Sequence, residues 1–331
     1  MRKLRTVLFV LGVVTLLIVA QFIGCRPHSQ GPVAVPVTLA TSKNMWCTLP
    51  LIAKGKGFFA DEGLDVSVTY LDAGRYCMDA VVSKSANFGT VVEVNVAYLA
   101  FTGNENVSIV GTVVESVGSA IVARKSAGVQ KPEDLKNKKL ALSPGTTSEM
   151  FAFRFMQKHG IDSASVDLRK VQPLAMQATM VERGADAAST WEPFVFNIRK
   201  GLGEDAIVFK DPEAYIGYEN VAVSRDWAQS HPELVSAFLR ALKKAEIYIN
   251  EHTEEVQALI AKEINLDLET VKATWGDYKI RLTLDDKTLV DAISAEGEEI
   301  RRRQEGYGSK PLPDYKRYVD LTFFSTLSKS K

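Results

Sequence analysis

The chain has 331 residues, 40 basic and 40 acidic side chains, no formal net charge, 46% apolar residues and 24% charged ones. The length exceeds one average domain and the composition is that of ordinary soluble proteins, which excludes a disordered polymer and a multispanning membrane protein. No basic stripe interleaved with aromatics is present, so nucleic acid is not expected as a partner.

At the start, Arg2, Lys3 and Arg5 precede a run without charges over 7–20, followed by Phe22-Ile23-Gly24-Cys25. This is the layout of a signal peptide over 1–25. An uncleaved anchor is the alternative, because about 18 apolar residues span a membrane. The small residue before Cys25 resembles the lipobox of bacterial lipoproteins, which implies export, lipidation at Cys25 and attachment to the membrane through that lipid. Residues 26–33, with Pro and Gly and no periodicity, read as a tether.

From residue 34 on, short β-branched runs alternate with helical periodicity, the signature of parallel sheets built from βαβ units. Strands are expected at 35–39, 64–70, 86–90 and 107–114, with helices at 51–59, 78–82 and 94–101 between them. A second cycle has strands at 139–142, 167–171 and 187–190 and helices at 147–159, closed by Gly160, and at 174–182. Residues 82–93 echo 181–192, each a helix end, a tight turn, a short strand and a terminal Glu. Beyond a strand-like 221–224 the chain reads as helical to 327, with a polar break at 306–309, and is expected to pack on the first lobe. The expected architecture is α/β in two lobes, each a mainly parallel sheet flanked by helices. Lobe 1 comprises 34–118 and 222–331, lobe 2 comprises 119–221, and the chain crosses near 115–122 and 216–224.

The strongest local signal is Ser143-Pro144-Gly145-Thr146-Thr147-Ser148-Glu149, which joins a strand to a helix. Thr146 and Glu149 fit a capping box. A helix start also offers free N–H groups and partial positive charge to an anion, and the two roles are compatible. Gly145 permits close backbone approach, and the hydroxyls of Thr146, Thr147 and Ser148 are donors. Thr190-Trp191-Glu192-Pro193 falls beyond the carboxyl end of a strand, where open α/β sheets hold ligands. Trp191 reads as a pocket wall or as an ordinary core residue, and Glu192 as a ligand partner or a solvated strand-end carboxylate. Thr90, at the end of its strand, is a further ligand-site candidate, and the same alternatives apply to Glu93, which follows it.

From the first lobe, Ser42-Lys43-Asn44-Met45-Trp46-Cys47 and Gly74-Arg75-Tyr76-Cys77 end at the same crevice, adding Asn44, Trp46, Cys47 and Tyr76 to the candidates. Cys47 and Cys77 then come together, as a disulfide bracing the loops or as two free thiols; a bridge needs α-carbons within about 7 Å. His28, His159, His231 and His252 are scattered, and no metal spacing, phosphate loop or nucleophile–base arrangement can be assembled. No metal, cofactor or catalytic residue is therefore expected.

Residues 51–66, residues 131–140 followed by Gly145-Thr146-Thr147-Ser148, and Gly184-Ala185-Asp186-Ala187 with Trp191-Glu192-Pro193 together carry a resemblance to a family. They are similar to the bacterial solute-binding proteins for nitrate, sulfonates, taurine and thiamine-pyrimidine precursors. The resemblance implies a type II periplasmic-binding-protein fold that closes on a small charged solute outside the cytoplasm, acts as a monomer, delivers the solute to an ABC permease and catalyses nothing. Asn87 stands where such proteins often carry Asp, and the cysteine-rich signature of the pyrimidine-synthase relatives is absent. Readings from other classes are a sensing subunit for a membrane signalling partner and an enzyme using Cys47 or Cys77 as nucleophile.

Overall fold

The computed structural model describes residues 34–327. The leader, Cys25 with its expected lipid, the tether and His28 lie outside the described residues. Eleven strands follow in chain order: β1 (Val35–Thr41), β2 (Leu64–Tyr70), β3 (Phe88–Val92), β4 (Val107–Ser116), β5 (Ala120–Arg124), β6 (Lys139–Leu142), β7 (Asp167–Lys170), β8 (Ala187–Thr190), β9 (Ala206–Lys210), β10 (Gly217–Ser224) and β11 (Tyr278–Thr283). They form a six-stranded sheet of order β11-β4-β10-β3-β1-β2 and a five-stranded sheet of order β7-β6-β8-β5-β9, one for each lobe.

Each sheet is mixed rather than mainly parallel. β1 runs parallel to β2 and β3, and β6 runs parallel to β7 and β8, the pairs joined by helical crossovers. β10 is antiparallel to β3 and β4, β11 to β4, and β5 to β8 and β9. The expected βαβ rhythm thus builds the parallel half of each lobe, and the strands entering from a crossing supply the antiparallel half.

The chain crosses between lobes at 117–119 and again at 211–216, because β10 starts at Gly217 and belongs wholly to the first sheet. The second crossing therefore precedes the expected 216–224, and residues 217–221 belong with lobe 1. A Cβ at Gly118, in the first crossing, would stand 2.5 Å from the Tyr278 hydroxyl, so that close approach requires glycine.

Strands β5, β9 and β11 are absent from the sequence expectation. β5 is a short run buried on both faces, which lacks alternation. β11 alternates in sequence, Tyr-Lys-Ile-Arg-Leu-Thr, but lies in a stretch read as helical; its strand form is set by pairing with β4 at the sheet edge. The expected helix at 51–59 divides into Thr48–Gly55 and Phe58–Asp61, where Gly57 takes φ +79°. Gly160 takes φ +65° after helix Thr147–Lys158, the left-handed closure expected there.

The first lobe is centred on helix Pro232–Glu251, whose Phe238 ring stacks on Phe88 at 4.0 Å and on Phe59 at 4.7 Å. Helix Asp286–Arg303 packs along helix Glu93–Ala100 of that lobe, as expected for the C-terminal part. It also reaches the second lobe. Glu296 Oε1 accepts from Arg154 Nη2 at 3.1 Å, Arg303 Nη1 donates to Ser163 Oγ at 2.8 Å, and Gln304 Nε2 donates to Glu149 Oε1 at 3.0 Å.

Candidate ligand site

The loops leaving β1, β2 and β3 converge with the loops leaving β6 and β8 on a cavity of about 20 Å³, enough for a group the size of a water molecule. Ser42, Asn44, Trp46, Gly74, Arg75, Asn95 and Glu219 line it from the first lobe, and Thr146, Thr147 and Trp191 from the second.

Asn44 caps a short 3-10 turn over Met45–Cys47, its Oδ1 accepting from the Cys47 amide at 3.3 Å, and this turn directs the Trp46 indole inward. The indole lies edge-on to Tyr278, with centroids 6.0 Å apart, and over the backbone of Gly217, where a Cβ would meet Trp46 Cη2 at 2.6 Å. Arg75 and Asn95 sit at the first turns of helices Gly74–Val82 and Glu93–Ala100.

In the second lobe, Thr146 is the N-cap of helix Thr147–Lys158: its Oγ1 accepts from the Ser148 amide at 3.2 Å and donates to Ser143 O at 2.7 Å. The Glu149 carboxylate accepts from the Gly145 amide at 2.8 Å, one residue before the N-cap, so the expected capping box is displaced by one position. Helix starts carry amides without intrahelical partners, and Thr146 and Thr147 bring that end to the cavity wall. Trp191 packs edge-on to Phe194, with centroids 5.5 Å apart.

Three donors on the cavity-lining residues are buried without an acceptor in the protein: Trp46 Nε1, Trp191 Nε1 and the Ser42 hydroxyl. Trp46 is 2% exposed and Trp191 4%. An unsatisfied buried donor costs about 1–3 kcal/mol, so three around one cavity mark a place for acceptor atoms.

The lobes meet around this cavity through direct bonds. Arg75 Nη1 donates to Pro144 O at 2.9 Å, Asn95 Nδ2 to Gly145 O at 2.8 Å, Tyr76 Oη to Gln172 Oε1 at 2.7 Å and Tyr98 Oη to Glu149 Oε2 at 3.2 Å. Beyond the Arg75 and Asn95 contacts lies a second chamber of about 390 Å³, walled by Met78, Tyr98, Leu99 and Tyr307.

Of the twelve ligand-site residues expected from sequence, Asn44, Trp46, Thr146, Thr147 and Trp191 line the cavity. The other seven are placed elsewhere. Gly145 borders the second chamber, Tyr76 forms the bond to Gln172, and the Ser148 hydroxyl is consumed inside the second lobe, donating to Ser189 O at 2.6 Å. Thr90 and Cys47 form a layer behind the cavity, with Cys47 Sγ 3.4 Å from Thr90 Oγ1. Glu93 is fixed by the Tyr215 hydroxyl and by the Tyr218 amide at 2.8 Å; Glu192 accepts from the Phe196 amide at 2.9 Å, bonding the first turn of helix Phe194–Leu202. Burial pushes both carboxyls above their ordinary range, against the pull of those donors.

The expected disulfide is not formed: Cys47 and Cys77 are both buried free thiols. Burial, then the charge of Glu219, pushes the Cys77 thiol up to about 12 and that of Cys47 well above its ordinary value. Neither is a reactive thiolate, which removes the physical basis for a cysteine nucleophile. The sequence reading missed Ser42, Gly74, Arg75, Asn95 and Glu219. Arg75 and Ser42 sit inside segments already singled out, whereas Glu219 arrives from the other end of the chain through the β10–β3 pairing.

The family model described as NMT1/THI5 like matches residues 46–256. A putative aliphatic sulfonates-binding protein of Bacillus subtilis (strain 168) is 24% identical over 279 residues, 82% of this chain and 82% of that protein. The taurine-binding periplasmic protein of Escherichia coli (strain K12) is 28% identical over 200 residues, 57% of this chain and 59% of that protein. Among solved structures, the alkanesulfonate-binding protein SsuA from Xanthomonas axonopodis pv. citri, bound to MOPS, superposes with a TM-score of 0.73 at 16% identity, covering 87% of this chain and 98% of that one. At that identity the likeness shows the fold, the two-lobed periplasmic-binding-protein architecture.

Proposed function

Starting from the fact that this chain belongs to the NMT1/THI5-like family, we propose that its cavity holds the anionic group of a small sulfonate-like, nitrate-like, taurine-like or pyrimidine-like solute. The chain is a solute-binding protein of the sulfonate, nitrate and taurine import type, which works outside the cytoplasm with an ABC permease and is not an enzyme. The observation that carries the anionic reading is the set of buried donors at Trp46, Trp191 and Ser42, joined by the helix start at Thr146–Thr147 and by Arg75. All of these line one cavity; the two indoles and the Ser42 hydroxyl have no acceptor within the protein, whereas Arg75 already donates to Pro144 O and brings its charge to the wall.

The solute bridges the lobes, so it binds the closed arrangement better than an open one and shifts the population toward closure. The crossings at 117–119 and 211–216 are the hinge of that motion. Lipidation of Cys25 would keep the protein at the membrane beside its permease.

Calorimetry against sulfonates, nitrate, carboxylates and pyrimidines tests the site. Trp46→Phe, Trp191→Phe and Thr147→Val each remove one donor and keep the wall, and each should weaken an anionic solute about tenfold. Affinity unchanged in all three would overturn the assignment.

A further inference from the structure

Both lobes and the second crossing meet at one buried cluster of charged groups. Helix Asp286–Arg303 brings Glu296 and helix Glu93–Ala100 brings Glu93 from the first lobe, helix Thr147–Lys158 brings Arg154 and Glu149 from the second, and the crossing brings Tyr215. Glu93 is 1% exposed, Glu149 3% and Glu296 2%, so three buried carboxyls share the Arg154 guanidinium.

Two of the three are well supplied with donors. Glu93 takes the Tyr215 hydroxyl and the Tyr218 amide, and Glu149 takes the Gly145 amide, the Tyr98 hydroxyl and Gln304. Glu296 is not. Its Oε1 accepts from Arg154 Nη2 at 3.1 Å across the lobe interface, but its Oε2 is buried without a partner, and so is Arg154 Nε. The pair is incomplete on both sides. An ionised Glu296 here bears an unanswered oxygen and the repulsion of two carboxylates, and a proton on Oε2 removes both costs.

We propose that Glu296 is a proton-operated switch of lobe closure: the closed arrangement takes up a proton on Glu296, and opening releases it. This rests on the reading that solute is held by closed lobes. The titratable and charged groups facing Glu296 are Arg154 and Glu149 from the second lobe, Glu93 and Tyr98 from helix Glu93–Ala100, and Tyr215 from the crossing; Tyr315, packed on the same helix, lies against Gly297 instead. Burial, opposed by Arg154 and reinforced by the charges of Glu93 and Glu149, pushes the Glu296 carboxyl up to about 8. Opening parts it from Arg154 and Glu149 and admits water, and because burial is the largest influence the carboxyl falls back toward its ordinary 4.5. The proton's contribution to closure is therefore fully present below about 4.5 and is lost as pH rises through about 8. Acid favours capture, and alkali favours release.

Small-angle scattering of the solute-free full chain reads the opening directly. Its radius should grow from about pH 5 to about pH 8 and level off above. Glu296→Gln keeps an acceptor for Arg154 and cannot ionise, so its radius should stay constant. A wild-type radius that ignores pH, or a change of equal size in Glu296→Gln, overturns the switch and leaves the anion site standing. Should that variant fail to fold, Arg154→Gln takes its place: loss of the guanidinium burdens only the ionised form, so the radius above about pH 8 should exceed that of the wild type. An alkaline radius equal to the wild type's overturns the proposal.

Calorimetry with ethanesulfonate and with nitrate gives the second reading. The affinity of whichever binds should fall about tenfold or more between about pH 6 and about pH 9, and stay level in Glu296→Gln. Equal wild-type affinity at the two values overturns the switch. Binding by neither probe counts against the anionic reading, and the scattering result then decides the switch by itself.

Discussion

Gly217→Ala probes the wall of the site without touching a hydrogen-bonding group. The added methyl would stand 2.6 Å from Trp46 Cη2, 3.0 Å from Cζ3 and 3.1 Å from the Tyr215 ring. Carbon atoms rest at about 3.5–4.0 Å, so the indole would have to retreat by about 1 Å. It has little room to do so, being 2% exposed and backed by Tyr278. Overpacking of this kind costs about 1–3 kcal/mol. Denaturant unfolding should therefore show a loss in that range, with a changed Trp emission from the displaced ring. Trp46→Phe removes the atoms that clash, so Gly217→Ala should cost much less in that background, and a double-mutant cycle reports the difference. Equal costs in both backgrounds, or no loss in the wild type, would refute the packing account.

Two further outcomes follow from the acid–base state of buried groups. Cys47 and Cys77 should resist iodoacetamide in the folded protein at mildly alkaline pH and react once it is unfolded, with no mass difference between reduced and non-reduced samples attributable to that pair; rapid native alkylation or a missing pair of hydrogens would contradict this. In the solute-free protein, the folded chain holds the proton on Glu219 that the unfolded chain releases near its ordinary 4.5, so this stability contribution is fully present below about 4.5 and is lost as pH rises through about 8. Glu219→Gln cannot ionise and should gain on wild type across that window by about 1 kcal/mol or more; parallel stability curves from about pH 5 to about pH 9 would refute it.

What sequence revealed follows locality. β2, β6 and β8 occupy the expected residues because each has its own apolar pattern and a turn that ends it. The second-lobe half of the site was legible for the same reason: Thr146, Thr147 and Trp191 lie within a few residues of a strand end. The carboxylates were misassigned because position at a strand end does not say what a side chain meets. Glu93 and Glu192 turn away to amides and a phenol, while Glu219 is delivered by an antiparallel strand entering from the other lobe. The same long-range pairing hid β11, whose alternation over six residues gains its meaning only beside β4. Proximity of two loops was likewise insufficient to join Cys47 to Cys77.

Helix Asp286–Arg303 gives the lobes a third attachment, beside the two chain crossings, through Arg154–Glu296, Arg303–Ser163 and Gln304–Glu149. It works as a clasp on a hinged box. Opening the lobes to solute would require these contacts to release together with the four bonds around the cavity, and the rate of capture would then depend on how often they do. One of them joins a partly exposed guanidinium to a carboxylate side chain that is 3% exposed, so ambient salt screens it little. The rate of opening would accordingly change little with the ionic strength of the surroundings, and would be set by contacts that no solute in the cavity has to touch.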